Sequence, residues 1–141
     1  MSTQSTQTQC TSQAAPNLIF PCSDASDVGG LSDRAARQMT LDLTGKMYCL
    51  AGIGGRVEVI LANAQAAAKV LVLDGCRGEC ARKTMALAGL RGFAHLQMER
   101  DLGFKKGATR VTAFRICQIA DRGAELLAGL LLRRFLTSRT P

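Results

Sequence analysis

The run Lys69-Val-Leu-Val-Leu73 constrains the fold of this chain more than any other stretch. It is apolar from Val70 onward, β-branched at alternate positions, and stops abruptly at Asp74-Gly75-Cys76. A strand with apolar side chains on both faces has to be covered on both faces, which happens when helices sandwich a parallel sheet. The neighbouring sequence repeats the theme. Leu18-Ile-Phe-Pro21 is a short apolar strand leading through Ser-Asp-Ala-Ser-Asp-Val-Gly-Gly into a helix over Leu31 to Leu41, with Ser32 or Asp33 as its cap. Lys46 to Leu50 reads as a second strand, Gly52 to Gly55 as a glycine-rich turn, and Val57 to Lys69 as an alanine-rich helix. Glu79 to Leu90 continues the pattern as a helix and Ala94 to Met98 as a fourth strand. A charged loop follows over Glu99 to Gly107, then helix over Thr109 to Thr137, either continuous or broken near Asp121-Arg-Gly123.

This alternation predicts an α/β fold, a three-layer sandwich with a mainly parallel sheet of about four strands flanked by helices. A length of 141 residues suits one domain, expected over residues 18–141. Residues 1–17 are rich in Ser, Thr and Gln, with no charged side chain, and are expected to form a disordered tail. They contain neither the apolar core of a secretory signal nor a membrane span, so the expected location is the cytoplasm, with no membrane partner.

In that compartment the chain's six cysteines stay reduced, which turns attention from disulfides to metal ligation or thiol chemistry. Cys22, Cys49 and Cys76 each fall at or just beyond the C-terminal end of a predicted strand. In a parallel sheet those ends share one edge, the place where open α/β folds hold their ligands. Cys80 follows Cys76 by four residues, so one helical turn returns its sulfur to the same region. Four such sulfurs satisfy tetrahedral Zn²⁺ at about 2.3 Å with no other donor. The site's formal −2 charge would be offset by the helix N-termini near Gly30, Gly55 and Gly78 and by Arg77 and Arg82. Spacing alone leaves a second reading open, four small thiols buried in the core.

FPCSDASDVGGLSDRAARQM, MYCLAGIGG and VLVLDGCRGECARKT together resemble the DGC-domain family, small bacterial proteins named for the Asp-Gly-Cys motif. The likeness spans roughly residues 18–107. It implies a four-cysteine zinc site, carried onto Cys22, Cys49, Cys76 and Cys80, and implies no reaction. Four protein thiolates close the coordination shell, which suits a structural, sensing or metal-handling role.

Two other functions compete. Cys76 and Arg82 fit C-x₅-R, the spacing with which thiol phosphatases and some oxyanion reductases wrap an anion; Cys76 would be the nucleophile, Cys80 the resolving thiol and Arg82 the anion ligand. That reading leaves Cys22 and Cys49 without a task. The third is an interaction module that forms a homodimer through its apolar C-terminal helix, LLAGLLLRRF, which is too short to span a bilayer.

The remaining features are less specific. Asp74 suits either a carboxylate supporting the metal ligands or a turn cap, and Ser23, Asp24, Ser26 and Asp27 suit turn making. His95, the only histidine, reads as a structural strand residue, Cys10 lies in the tail, and Cys117 reads as a small buried hydrophobe on a helix. Gly52 to Gly55 fails the G-x-G-x-x-G and G-K-[ST] patterns, which argues against a nucleotide. The net charge of +7 is concentrated after residue 81, but one Tyr, no Trp and no recognisable motif argue against a dedicated nucleic-acid reader.

Overall fold

A computed structural model describes residues 15–137 apart from Asp24, with side chains described up to Gly129. Ten elements follow in order: β1 (Asn17–Pro21), α1 (Asp27–Leu41), β2 (Lys46–Met47), α2 (Leu50–Gly54), α3 (Glu58–Ala66), β3 (Lys69–Asp74), α4 (Cys80–Leu87), β4 (Ala94–Gln97), α5 (Met98–Leu102) and α6 (Ala113–Thr137). The strands form one sheet in the order β2-β1-β3-β4, and every pairing is parallel.

Alternation along the two central strands divides the core. Ile19, Leu71 and Leu73 turn to one face, where α1 and α6 close over them with Leu31, Ala35, Met39, Ile119 and Leu127. Leu18, Phe20 and Val72 turn to the other face, against Ile53 of α2, Ala64 of α3 and Ala81 and Met85 of α4. Phe20 is fully buried and meets Tyr48 edge-on, ring centroids 5.9 Å apart. Burial of one such side chain stabilises the fold by roughly 1.5–3 kcal/mol. This is the three-layer α/β sandwich expected from the apolar runs.

The chain departs from expectation where local signals compete. The second strand ends at Met47, two residues before Cys49. The first helix starts at Asp27, capped by Ser26, whose hydroxyl accepts the Gly29 N–H at 3.1 Å; neither Ser32 nor Asp33 caps it. Ser32 is buried and donates to the Leu73 carbonyl at 3.1 Å. Met98, expected to end the fourth strand, and residues 99–102, expected as loop, form a helix between an N-cap at Gln97 and a left-handed C-cap at Gly103. The last helix runs unbroken through Gly123, where a Cβ would come within 2.9 Å of Leu71 and Met39, so the glycine lets α6 lie close to the sheet. Asn17, expected in the tail, belongs to β1; the rest of that segment up to residue 14, with Cys10, lies outside the described residues. So do the side chains at the end of the apolar C-terminal stretch. No helix among the described residues is long and apolar enough to cross a membrane.

The path from β1 goes to β2 on one side and then returns across β1 to β3 on the other. Between β1 and β3 the winding reverses, and at such a reversal the loops leaving adjacent strands diverge and open a crevice at the C-terminal edge. Cys22 and Cys76 lie on those two loops.

Candidate metal centre

Cys22 follows β1 directly. Its backbone N–H donates to the Leu73 carbonyl at 2.9 Å, and its sulfur accepts the Gly75 N–H at 3.4 Å. The next residue, Ser23, turns the chain in the left-handed region (φ 46°) and donates its hydroxyl to Asp33, 3.0 Å away. Arg37 binds Asp33 in turn and, with Ser23, holds its carboxyl below the ordinary value.

The Asp74-Gly75-Cys76 turn fits against the start of α1. A Cβ on Gly75 would lie 2.6 Å from the Val28 carbonyl carbon and 2.9 Å from the Gly29 nitrogen, so only glycine allows this backbone approach. Asp74 is buried and caps α4, which has no capping side chain at Glu79: its Oδ1 accepts the Ala81 N–H at 2.8 Å and its Oδ2 the Arg82 N–H at 3.0 Å. The same Oδ2 lies 2.9 Å from His95 Nε2 on β4. Asp74 thus bonds to α4 and to β4 at once. Both residues therefore have structural roles at this edge.

Cys76 is half-buried, and Cys80 is exposed at the first position of α4. Their sulfurs face the same glycine: a Cβ on Gly78 would lie 3.4 Å from Cys76 Sγ and 3.6 Å from Cys80 Sγ. The left-handed Glu79 (φ 50°) turns the chain between them. Cys49, two residues beyond the end of β2, is the N-cap of α2, where its sulfur accepts the Gly52 N–H at 3.3 Å. Cys22 and Cys49 share a cavity of about 420 Å³ with Met47, Tyr48, Leu50 and Thr84. Thr84 lies one turn beyond Cys80 and donates to its carbonyl at 2.7 Å.

The four cysteines thus meet the C-terminal edge as two pairs, Cys76 with Cys80 about Gly78 and Cys22 with Cys49 about the cavity. Among the described residues no three His, Cys, Asp or Glu side chains converge on a common metal-sized point. The chemistry of the donor set nevertheless fits a thiophilic ion. All four thiols are outside any disulfide, none is fully buried, and two already accept backbone N–H groups, as thiolates do.

The loop from Gly75 to Arg82 is hydrogen-bonded within the chain at several points. Five of its N–H groups are directed to acceptors of the chain itself: Gly75 to Cys22, Arg77 to Glu99, Glu79 to the Cys76 carbonyl, and Ala81 and Arg82 to Asp74. The Arg82 guanidinium is bound to Glu79, Nε to Oε2 at 2.6 Å.

Two carboxylates tie the edge together, and neither stood out in the sequence as more than turn or loop chemistry. Asp27 accepts the N–H groups of Gly107 at 2.9 Å and Thr109 at 2.8 Å. Glu99 accepts those of Arg77 at 2.9 Å and Lys106 at 3.2 Å. These backbone donors hold both carboxyls below their ordinary values, Gly107 contributing most for Asp27 and Lys106 for Glu99. The partners are too distant in sequence for any local pattern to reveal them. Cys117, expected to be buried, is exposed on α6, because its neighbours Ile119 and Ala120 take the inner face.

The sequence profile of the DGC domain matches residues 18–122. The anaerobic and virulence modulator AnvM of Pseudomonas aeruginosa is 30% identical over 89 residues, which cover 63% of this chain and 67% of the relative. No solved structure matches the chain. With a profile that takes in the sheet, both cysteine pairs and the start of α6, this protein belongs to the DGC-domain family.

Proposed function

We propose that the protein binds one thiophilic metal ion, zinc, through Cys22, Cys49, Cys76 and Cys80, in a regulatory or structural capacity. The observation that carries this reading is that the Cys76 and Cys80 sulfurs lie together at Gly78, 3.4 and 3.6 Å from where a Cβ on that residue would stand. Cys22 is hydrogen-bonded to Gly75 at the head of the same turn, and Cys49 lines the same cavity as Cys22. Ligation by all four requires the two pairs to be brought together, by rotation of thiols that are exposed or half-buried.

A shell of four thiolates leaves no position for an activated water, so the reading is one of sensing, metal handling or stabilisation, with no reaction assigned. The relative's description as a modulator is consistent with a regulatory role. The cytoplasm, where thiols stay reduced, completes the proposal.

Elemental analysis of protein purified under reducing, chelator-free conditions tests it. About one zinc per chain is expected, together with thiolate-to-metal charge-transfer bands after cobalt substitution. Metal content unchanged by Cys22→Ser or Cys49→Ser, or no metal after anaerobic reconstitution, would reject the site.

A further inference from the structure

From Gly103 to Arg115 the chain carries Lys105, Lys106, Arg110 and Arg115 and no Asp or Glu. The first three are exposed, and among the described residues none forms an ion pair. A solvated basic loop usually has loosely held backbone. Here every N–H from Lys105 to Thr109 has an acceptor: the Thr109 hydroxyl for Lys105, Glu99 for Lys106, Asp27 for Gly107, the Lys105 carbonyl for Ala108, and Asp27 again for Thr109. Thr109 is itself buried. Arg115 is drawn back over the Phe104 ring, 5.7 Å from its centroid, and donates to the Arg110 carbonyl at 2.8 Å. The backbone is fixed while the cationic side chains remain outside.

Beside them lie two apolar side chains that the fold does not use. Phe114, in the first turn of α6, is 78% exposed, and Val111 is 36% exposed. A single exposed aromatic among cations offers one apolar anchor ringed by positive charge, whereas strands of nucleic acid are held by several aromatic platforms in succession.

We propose that the Lys105–Arg110 turn and the first turn of α6, with Phe114, form a docking surface for an acidic segment of a partner protein that carries an apolar side chain. The cations attract and orient the segment, and Phe114 and Val111 cover its apolar residue. Because Asp27 and Glu99 already fix the turn, binding does not have to order it. The proposal is independent of metal binding.

Fluorescence anisotropy of the full chain with labelled peptides of about 15 residues, half Asp or Glu and one Phe, Leu or Trp at varied positions, tests the surface; an oligothymidylate of equal length is the control. At least one peptide is expected to bind in the micromolar range and to weaken as salt is raised from about 50 to 200 mM. The triple change K105E/K106E/R110E should reduce affinity by about tenfold or more and Phe114→Ala by several-fold. These positions are exposed, so thermal melts should show the variants folded. Asp27→Asn and Glu99→Gln separate a shaped surface from a merely charged one. Each makes the protein more positive, so plain attraction predicts tighter binding, whereas loss of the fixed turn predicts weaker binding. The proposal is overturned if no peptide binds saturably, if the triple variant binds as well as the parent, if both carboxylate variants bind more tightly, or if the oligothymidylate outcompetes every peptide.

Discussion

Asp74 and His95 are joined across adjacent parallel strands, Nε2 to Oδ2 at 2.9 Å, while the same carboxylate caps the helix that begins at Cys80. One buried side chain thereby sets the position of α4 relative to β4. Asp74→Ala removes two N–H acceptors at a helix start and leaves the imidazole without its partner. A loss of about 2–4 kcal/mol is expected from chemical denaturation. A variant as stable as the parent would show that water replaces the carboxylate fully.

The glycines at 75 and 78 should respond very unequally to the same added methyl. Gly75→Ala forces a Cβ against the backbone of Val28 and Gly29, which cannot yield as a flexible side chain can. It should cost about 2 kcal/mol or more and raise the reactivity of Cys22 and Cys76 towards a thiol reagent. Gly78→Ala places its Cβ at ordinary contact distance from two sulfurs, so metal-free stability should change by less than about 0.5 kcal/mol. If the proposed zinc site is correct, the same variant should bind metal more weakly.

Cys49→Ser is a clean probe of the proposed ligand set. Serine caps helices well, and its hydroxyl can take over the Gly52 N–H now accepted by the sulfur. The variant should melt within a few degrees of the parent and lose its metal. Retention of a full metal complement would remove Cys49 from the site.

Acid should loosen the basic turn before the sheet. Asp27 and Glu99 have folded-state values lowered from 3.8 and 4.5 by backbone N–H donors. A depressed carboxyl stabilises the folded state fully at pH values above its unfolded value, and that contribution fades as the pH falls through the folded one. The window therefore lies below about pH 4. Asp27→Asn should flatten the acid limb of a denaturation series from pH 7 to 2, and hydrogen exchange at Gly107 and Thr109 should report the loosening first. An unchanged acid limb would mean that these bonds contribute nothing to folding.

How far the sequence revealed this depended on the range of the forces involved. β1 and β3 were legible because residues buried on both faces leave a continuous apolar run, and the strand–helix alternation then required a common edge for Cys22, Cys49 and Cys76. β2 is shorter than its sequence suggests, since Cys49 already serves as the cap of the next helix, a role that the strand pattern did not show. Gly123 invited a break that close packing on Met39 and Leu71 suppresses. The Asp27 bonds to Gly107 and Thr109 span about eighty residues, and no local pattern encodes them.

The brevity of β2 has a consequence of its own. A sheet whose central strands are apolar on both faces is an inviting template for a stray extended chain, and its danger lies at an open margin. On this side the margin is two residues long, begins with an exposed lysine, and gives way at once to the turn of a helix. A foreign strand finds too few unpaired amides to form a ladder, so truncating this strand guards the protein against edge-to-edge polymerisation.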